Sequence, residues 1–220
     1  MPKGPSGVIC FLGLFMPLIE PAVKRVVAFV DGQNLYRCAK SCFGYTYPNY
    51  DVMKLARVAC EQRLNGCNLV EVRFYTGVVP RAEDPRWHDF WHAKLRTMGQ
   101  QGIYTFTRPT RNGKEKGIDV RIALDVIRMA HRNQYDVAIV FSQDQDLSEA
   151  AHEIRTIASE QQRWIKIACA YPCAGHANNR GINSTDWIPL TKVAYDQCID
   201  PKDYRPRSNR PIVPNVPRMP

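Results

Sequence analysis

Beyond Pro21, short apolar runs of five or six residues alternate with longer stretches whose apolar positions recur at helical period. That alternation predicts βαβ units, hence an α/β fold with a mainly parallel central sheet flanked by helices in a single domain. Strands are predicted over 26–30, 70–75, 103–107, 137–141 and 164–170, and helices over 35–41, 52–63, 85–98, 118–132 and 147–158. Two helix starts carry their own signals: Asp51 stands before Val52 as an N-cap, and Asp84-Pro85 pairs an acidic cap with proline at the first helical position. The polar, Gly-containing run 108–117 between a strand and a helix reads as a loop.

The pattern is broken by acids at informative places. The strand at 26–30 runs straight into Asp31-Gly32-Gln33-Asn34, and the strand at 137–141 into Ser142-Gln143-Asp144-Gln145-Asp146, where a core strand would otherwise end in a bland turn. On the helix after the basic loop, Asp119 heads the apolar stripe Ile122, Ala123, Val126, Ile127 and Ala130 at i−3 and i−4 spacing. Ligands collect at the carboxyl ends of strands in open α/β sheets, so Asp31, Asp119, Asp144 and Asp146 are candidate metal ligands of one catalytic site. Carboxylates buried together without compensation pay for desolvation and repulsion, which implies a bound cation or a raised pKa. Mg2+ or Mn2+ suits such oxygen ligands, and the chemistry these ions support is phosphodiester hydrolysis.

Each acid also has a plain structural use. Asp31 fits a turn, Asp144 and Asp146 fit N-caps of the following helix, Asp119 fits the positive end of a helix dipole, and Asp125 fits ion pairs with Arg121 and Arg128. Their joint occurrence at converging strand and helix ends is what those uses explain poorly. Asn34 and Ser142 are supporting candidates, Asn34 to orient Asp31 and Ser142 to bond a ligand or phosphate. Asp125 lies toward the flank of the stripe, and Asp186 reads as a turn or cap residue outside the set.

Composition adds a partner. The 220 residues are 45% hydrophobic, enough for one full core, and 30 Lys+Arg against 21 Asp+Glu give a net charge of +9 that suits a polyanionic partner without naming it. Arg111, Lys114 and Lys116, in the loop beside the acids, are candidate contacts for that polyanion. The eight cysteines read as reduced, core-packing thiols, Cys169-x3-Cys173-x2-His176 included, which fits a cytoplasmic protein. The apolar run 8–19 contains Gly13 and Pro17 and is shorter than the roughly 20 residues of a membrane helix. Residues 1–22 are therefore expected to be an extension, 23–198 the domain, and 199–220 a Pro/Arg-rich disordered tail. The oligomeric state stays open, a homodimer being compatible with the sequence.

Four separated segments carry a resemblance: Phe29-Val30-Asp31-Gly32-Gln33-Asn34-Leu35-Tyr36, Phe74-Tyr75-Thr76-Gly77, Lys116-Gly117-Ile118-Asp119-Val120-Arg121-Ile122-Ala123-Leu124-Asp125, and the run from Ser142 to Leu147. Their order resembles the NYN domain family of PIN-like, metal-dependent ribonucleases, over roughly residues 24–190. The resemblance implies a Rossmann-like PIN fold, an acidic pocket of Asp31, Asp119, Asp144 and Asp146 ringed by Asn34, Ser142 and Asp125, and endoribonuclease activity on RNA that Arg111, Lys114 and Lys116 would contact. One departure stands out: where the family often has Ser-Gly-Asp-x-Asp, this chain has Gln143 and Gln145. If the loop needs glycine's conformational freedom, Gln143 displaces Asp144. The competing expectations are a non-catalytic RNA-binding or assembly module on the same fold, and a phosphatase or Toprim-like phosphoryl enzyme, against which Asp31-Gly32-Gln33 argues because it lacks the second acid of a phosphatase's first strand.

Overall fold

The first strand, β1 (Lys24–Asp31), is buried along almost its whole length, and its side chains alternate between two cores. Val26, Ala28 and Val30 enter one apolar cluster while Val27 and Phe29 enter the other. A strand buried on both faces is the signature of a parallel sheet covered by helices on both sides. The structure, a computed structural model, describes residues 18–110, 115–175 and 180–206.

After β1 come α1 (Gly32–Phe43), α2 (Val52–Arg63), β2 (Cys67–Val78), α3 (Pro85–Gln100), β3 (Tyr104–Pro109), α4 (Ile118–His131), β4 (Val137–Phe141), α5 (Ser148–Glu160), β5 (Lys166–Pro172), β6 (Asp186–Leu190) and α6 (Lys192–Asp196). A single 3-10 turn, Gln145–Leu147, precedes α5. The six strands lie in the order β3-β2-β1-β4-β5-β6, and every neighbouring pair is parallel. This is a doubly wound order, whose direction of winding reverses between β1 and β4. Helices α1, α2 and α3 pack on one face through Leu35, Leu55, Ala59, Phe90 and Met98. Helices α4 and α5 cover the other through Ile122, Val126, Ile154 and Ile157.

All five predicted strands and five predicted helices have counterparts in the fold, displaced at their ends by a few residues. The expected helix at 147–158 begins at Ser148, because Asp144 first caps the 3-10 turn. Two elements went unpredicted. Strand β6 is at the sheet's end, contains Pro189, and buries only Ile188 and Leu190, so it lacks a strand-like run; α6 is five residues long, too short to show a helical period.

The C-terminal boundary also differs from expectation. Residues 199–206 pack on the domain: the Asp200 amide donates to the Asn49 carbonyl, Lys94 Nζ lies 3.0 Å from Asp200 Oδ2, and the buried Tyr204 ring sits edge-on to Phe90. One acid and one aromatic anchor a segment whose overall composition is tail-like. Residues 207–220, like 1–17, lie outside the described residues. The seven described cysteines are free, and no helix among the described residues is long and apolar enough to cross a membrane. Cys169 is buried and donates to the Ser142 carbonyl at 2.9 Å, whereas His176 lies outside the described residues.

Candidate acidic site at the winding reversal

Strands β1 and β4 are neighbours, and both end in acids at the sheet's carboxyl edge, where the winding reverses and a crevice opens. Asp31, the last residue of β1, is 5% exposed and caps α1, its Oδ1 accepting from the Asn34 amide at 2.9 Å. The turn into α1 is tight because Gly32 lies against the Phe74 ring: a Cβ there would come within 2.3 Å of Phe74 Cζ. From the other side the buried Tyr50 hydroxyl donates to the Gly32 carbonyl at 2.9 Å, and Lys94, paired with Asp200, donates to the Tyr50 carbonyl.

The second acidic segment is tied to the first by Asn34, whose Oδ1 accepts from the Gln143 amide at 2.9 Å. Ser142 is buried and its Oγ accepts from the Asp144 amide, while Asp144 Oδ1 accepts from the Asp146 amide. The two glutamines brace this loop from behind. Gln143 Nε2 donates to the Arg180 carbonyl, and Gln145 donates to the Gly181 carbonyl and accepts from the Asn183 amide. No residue from Ser142 to Asp146 has positive φ, so the loop does not call on glycine's left-handed conformations.

Asp31, Asn34, Arg37, Glu115, Ile118, Asp119 and Asp144 line one pocket of about 170 Å³. Three of the four acids predicted as ligands therefore meet. Asp146 does not line it; its side chain is exposed at the start of the 3-10 turn. Asp125 is elsewhere, fully buried on α4 among Arg73, Tyr75, Arg121 and Arg128, all within 3.2 Å of its carboxylate. This is a neutralised structural cluster that joins α4 to β2. Lys116 is exposed beside the pocket, and Arg111 and Lys114 lie outside the described residues.

Two pocket residues escaped the sequence reading. Glu115 sits in a charged loop with no periodic pattern to mark it; its Oε2 accepts from the Gly77 amide at 2.5 Å, an approach possible because a Cβ on Gly77 would meet that oxygen at 2.7 Å. Arg37 lies three residues after Asn34 on the same helical face, a spacing that would have found it, and donates to Gln33 Oε1. The electrostatics are those of crowded acids. Burial, then the nearby Asp144, pushes the Asp31 carboxyl up to about 6; burial, then Asp31, pushes Glu115 up to about 7.

The donor set is all oxygen, with no thiol or imidazole, and so fits a hard divalent cation. Among the described residues no three such groups already stand in an arrangement that clasps an ion. Such a set leaves coordination positions for water and a substrate phosphate, which Mg2+ usually keeps.

No protein with a curated description matches the chain. A crystal structure of a protein of unknown function from Vibrio parahaemolyticus is similar to it, at 24% identity and a TM-score of 0.47, covering 86% of this chain and 99% of that one. The NYN domain profile matches residues 25–160, which include β1 through α5 and every acid of the pocket, and with that match over more than half its length the chain belongs to the NYN domain family, whose members have a PIN-like nuclease fold.

Proposed function

We propose that this chain is a divalent-metal-dependent endoribonuclease. The observation that carries the proposal is the convergence of Asp31, Glu115, Asp119 and Asp144 on one pocket at the winding reversal, with Arg37 on its wall. Asp31, Asp119 and Asp144 would hold Mg2+ or Mn2+, and Glu115, held by the Gly77 amide, supplies a fourth carboxylate. When bound, such an ion neutralises charge on the phosphate and favours ionisation of water. The chain's own groups do the rest. Asn34 fixes the distance between the two acidic strand ends, Ser142 Oγ holds the Asp144 amide, and Arg37 presents a guanidinium to a phosphate oxygen, with Lys116 as a peripheral cation.

The test is cleavage of a labelled mixed RNA pool by purified protein in Mn2+, Mg2+ or EDTA, with Asp144→Asn as the matched control. Cleavage that requires the ion and is lost in Asp144→Asn supports the proposal. A second reading, an RNA-binding or assembly module, draws on the net charge of +9 and the exposed Lys116 beside the pocket. It prevails if wild type and variant both bind RNA and neither cuts it with any ion.

A further inference from the structure

Beside the acidic pocket, between α1 and α3, lies a second recess of about 210 Å³ lined by Gln33, Tyr36, Gly77, Trp87, Trp91 and Thr110 among others. The two are neighbours. Gln33 and Asn34 are consecutive residues of α1, one in each, and Gly77 lines the recess while its amide holds Glu115 of the acidic pocket. At this size the recess is below the roughly 300–1,000 Å³ of sites for drug-sized ligands, and suits one planar ring system.

Its walls are aromatic and braced. The Tyr36 hydroxyl donates to the Thr46 carbonyl, Trp91 packs on Phe74 with centroids 5.9 Å apart, and Trp87 stands edge-on to Phe90 at 5.1 Å. Trp87 is 37% exposed, on a helix that buries Phe90, Trp91 and Met98, so part of its ring is open to a ligand. Thr110 is 5% exposed, and among the described residues its hydroxyl has no hydrogen-bond partner. A buried hydroxyl left unpaired costs stability unless something completes it. On the far side of Trp87 a third recess, of about 450 Å³, is lined by Tyr47, Arg86, Trp87, Phe90 and Arg205 among others, with the Arg205 guanidinium 3.9 Å over the Tyr47 ring. Flat aromatic walls, the unpaired Thr110 hydroxyl, the Gln33 side chain and the α3 cap Asp84, with Arg86 and the Asp203-paired Arg205 beyond them, form a track that leads away from the acidic pocket.

We infer that the recess between α1 and α3 seats the unpaired base of a nucleotide adjoining the scissile phosphate, stacked on Trp87, with the Thr110 hydroxyl completing its bonding on the base edge. The inference rests on the ribonuclease proposal for the location of the phosphate. The strand then continues past Trp87, where Arg86 and Arg205 meet its backbone. Because a base within a duplex cannot leave its stack without cost, the chain selects single-stranded RNA.

The test measures binding of a labelled single-stranded oligoribonucleotide, and of the same strand in duplex, to the full chain in EDTA, alongside cleavage of both in Mn2+. Wild type is expected to favour the single strand. Trp87→Leu should weaken single-strand binding about tenfold and leave duplex binding unchanged, and Thr110→Val, which keeps the side chain's shape, should weaken it about threefold. A thermal melt by circular dichroism checks that each variant folds; if Trp87→Leu does not, Thr110→Val decides alone. Unchanged single-strand binding in the folded variants, a wild-type preference for duplex, or no binding at all overturns the inference. If wild type cleaves while the variants bind like wild type, the base recess falls and the nuclease proposal stands. If Trp87-dependent binding is seen without cleavage under any ion, the recess stands and the nuclease proposal falls.

Discussion

Asp144 and Asp146 are two residues apart, yet one lines the pocket and the other faces solvent. Their amides set this split: the Asp146 amide donates to Asp144 Oδ1, which holds the 3-10 turn and turns the second acid outward. Asp144→Asn should therefore lower metal-dependent cleavage about a hundredfold or more. Asp146→Asn should cost far less, and steady-state rates on one RNA substrate compare the two. A second expectation at this scale concerns pH. Asp31 and Glu115 rise from ordinary values of 3.8 and 4.5 to about 6 and about 7, so between those limits the folded chain binds more protons than the unfolded one. The stability this contributes is present at low pH and is lost as pH rises through about 6 and then about 7. Melting temperatures in EDTA should fall across that window, excess Mn2+ should restore them at its upper end, and Asp31→Asn should flatten the slope. Asp31, Asp119 and Asp144 were legible in the sequence because each interrupts an apolar pattern. Glu115 was not, because nothing local distinguishes an acid in a charged loop from a solvated one; its role comes from an amide 38 residues away.

At the level of elements, the approach of α1 to β2 holds Asp31 in place, and glycine makes that approach possible. A methyl group at position 32 would overlap the Phe74 ring at 2.3 Å, with buried Phe74 and Trp91 behind it. Gly32→Ala should cost about 1–3 kcal/mol of stability by overpacking, measured by denaturant unfolding, and should reduce cleavage further by shifting Asp31. The middle of α4 shows how a motif residue can serve the fold instead. Asp125 belongs to the segment that resembles the family, but it sits 1% exposed beneath three arginines and the Tyr75 hydroxyl. Asp125→Asn leaves the buried Arg73 with Glu71 as its remaining countercharge and weakens the bonds from Tyr75, Arg121 and Arg128, and should destabilise the chain by about 1–3 kcal/mol. Any loss of activity should then track the unfolded fraction. The sequence reading captured the regular elements through their periods, 3.6 in helices and continuous burial in the central strands. It missed β6 and α6, whose burial rests on two residues and one.

Over the whole molecule, the sheet extends past the family's matched span. The NYN match ends at residue 160, before β5 and β6, although β5 pairs along β4 from Val137↔Lys166 to Val140↔Cys169. A chain cut after Glu160 would bare the fully buried β4 along one side, and is expected to precipitate or recover insoluble, as sedimentation of the expressed fragment would measure; one ending after Pro206 keeps Asp200 and Tyr204 in place and should stay in solution. Asn34 and Gln143, whose bond joins the two acidic strand ends, are 109 residues apart in the chain. During synthesis β1, β2 and β3 emerge long before β4, and closing so wide a loop is among the slower steps of folding. The acids consequently have no shared pocket in any nascent chain that has not yet added β4. Any chemistry that needs those acids side by side is thus withheld, by strand order alone, until the segment carrying Asp144 has been made.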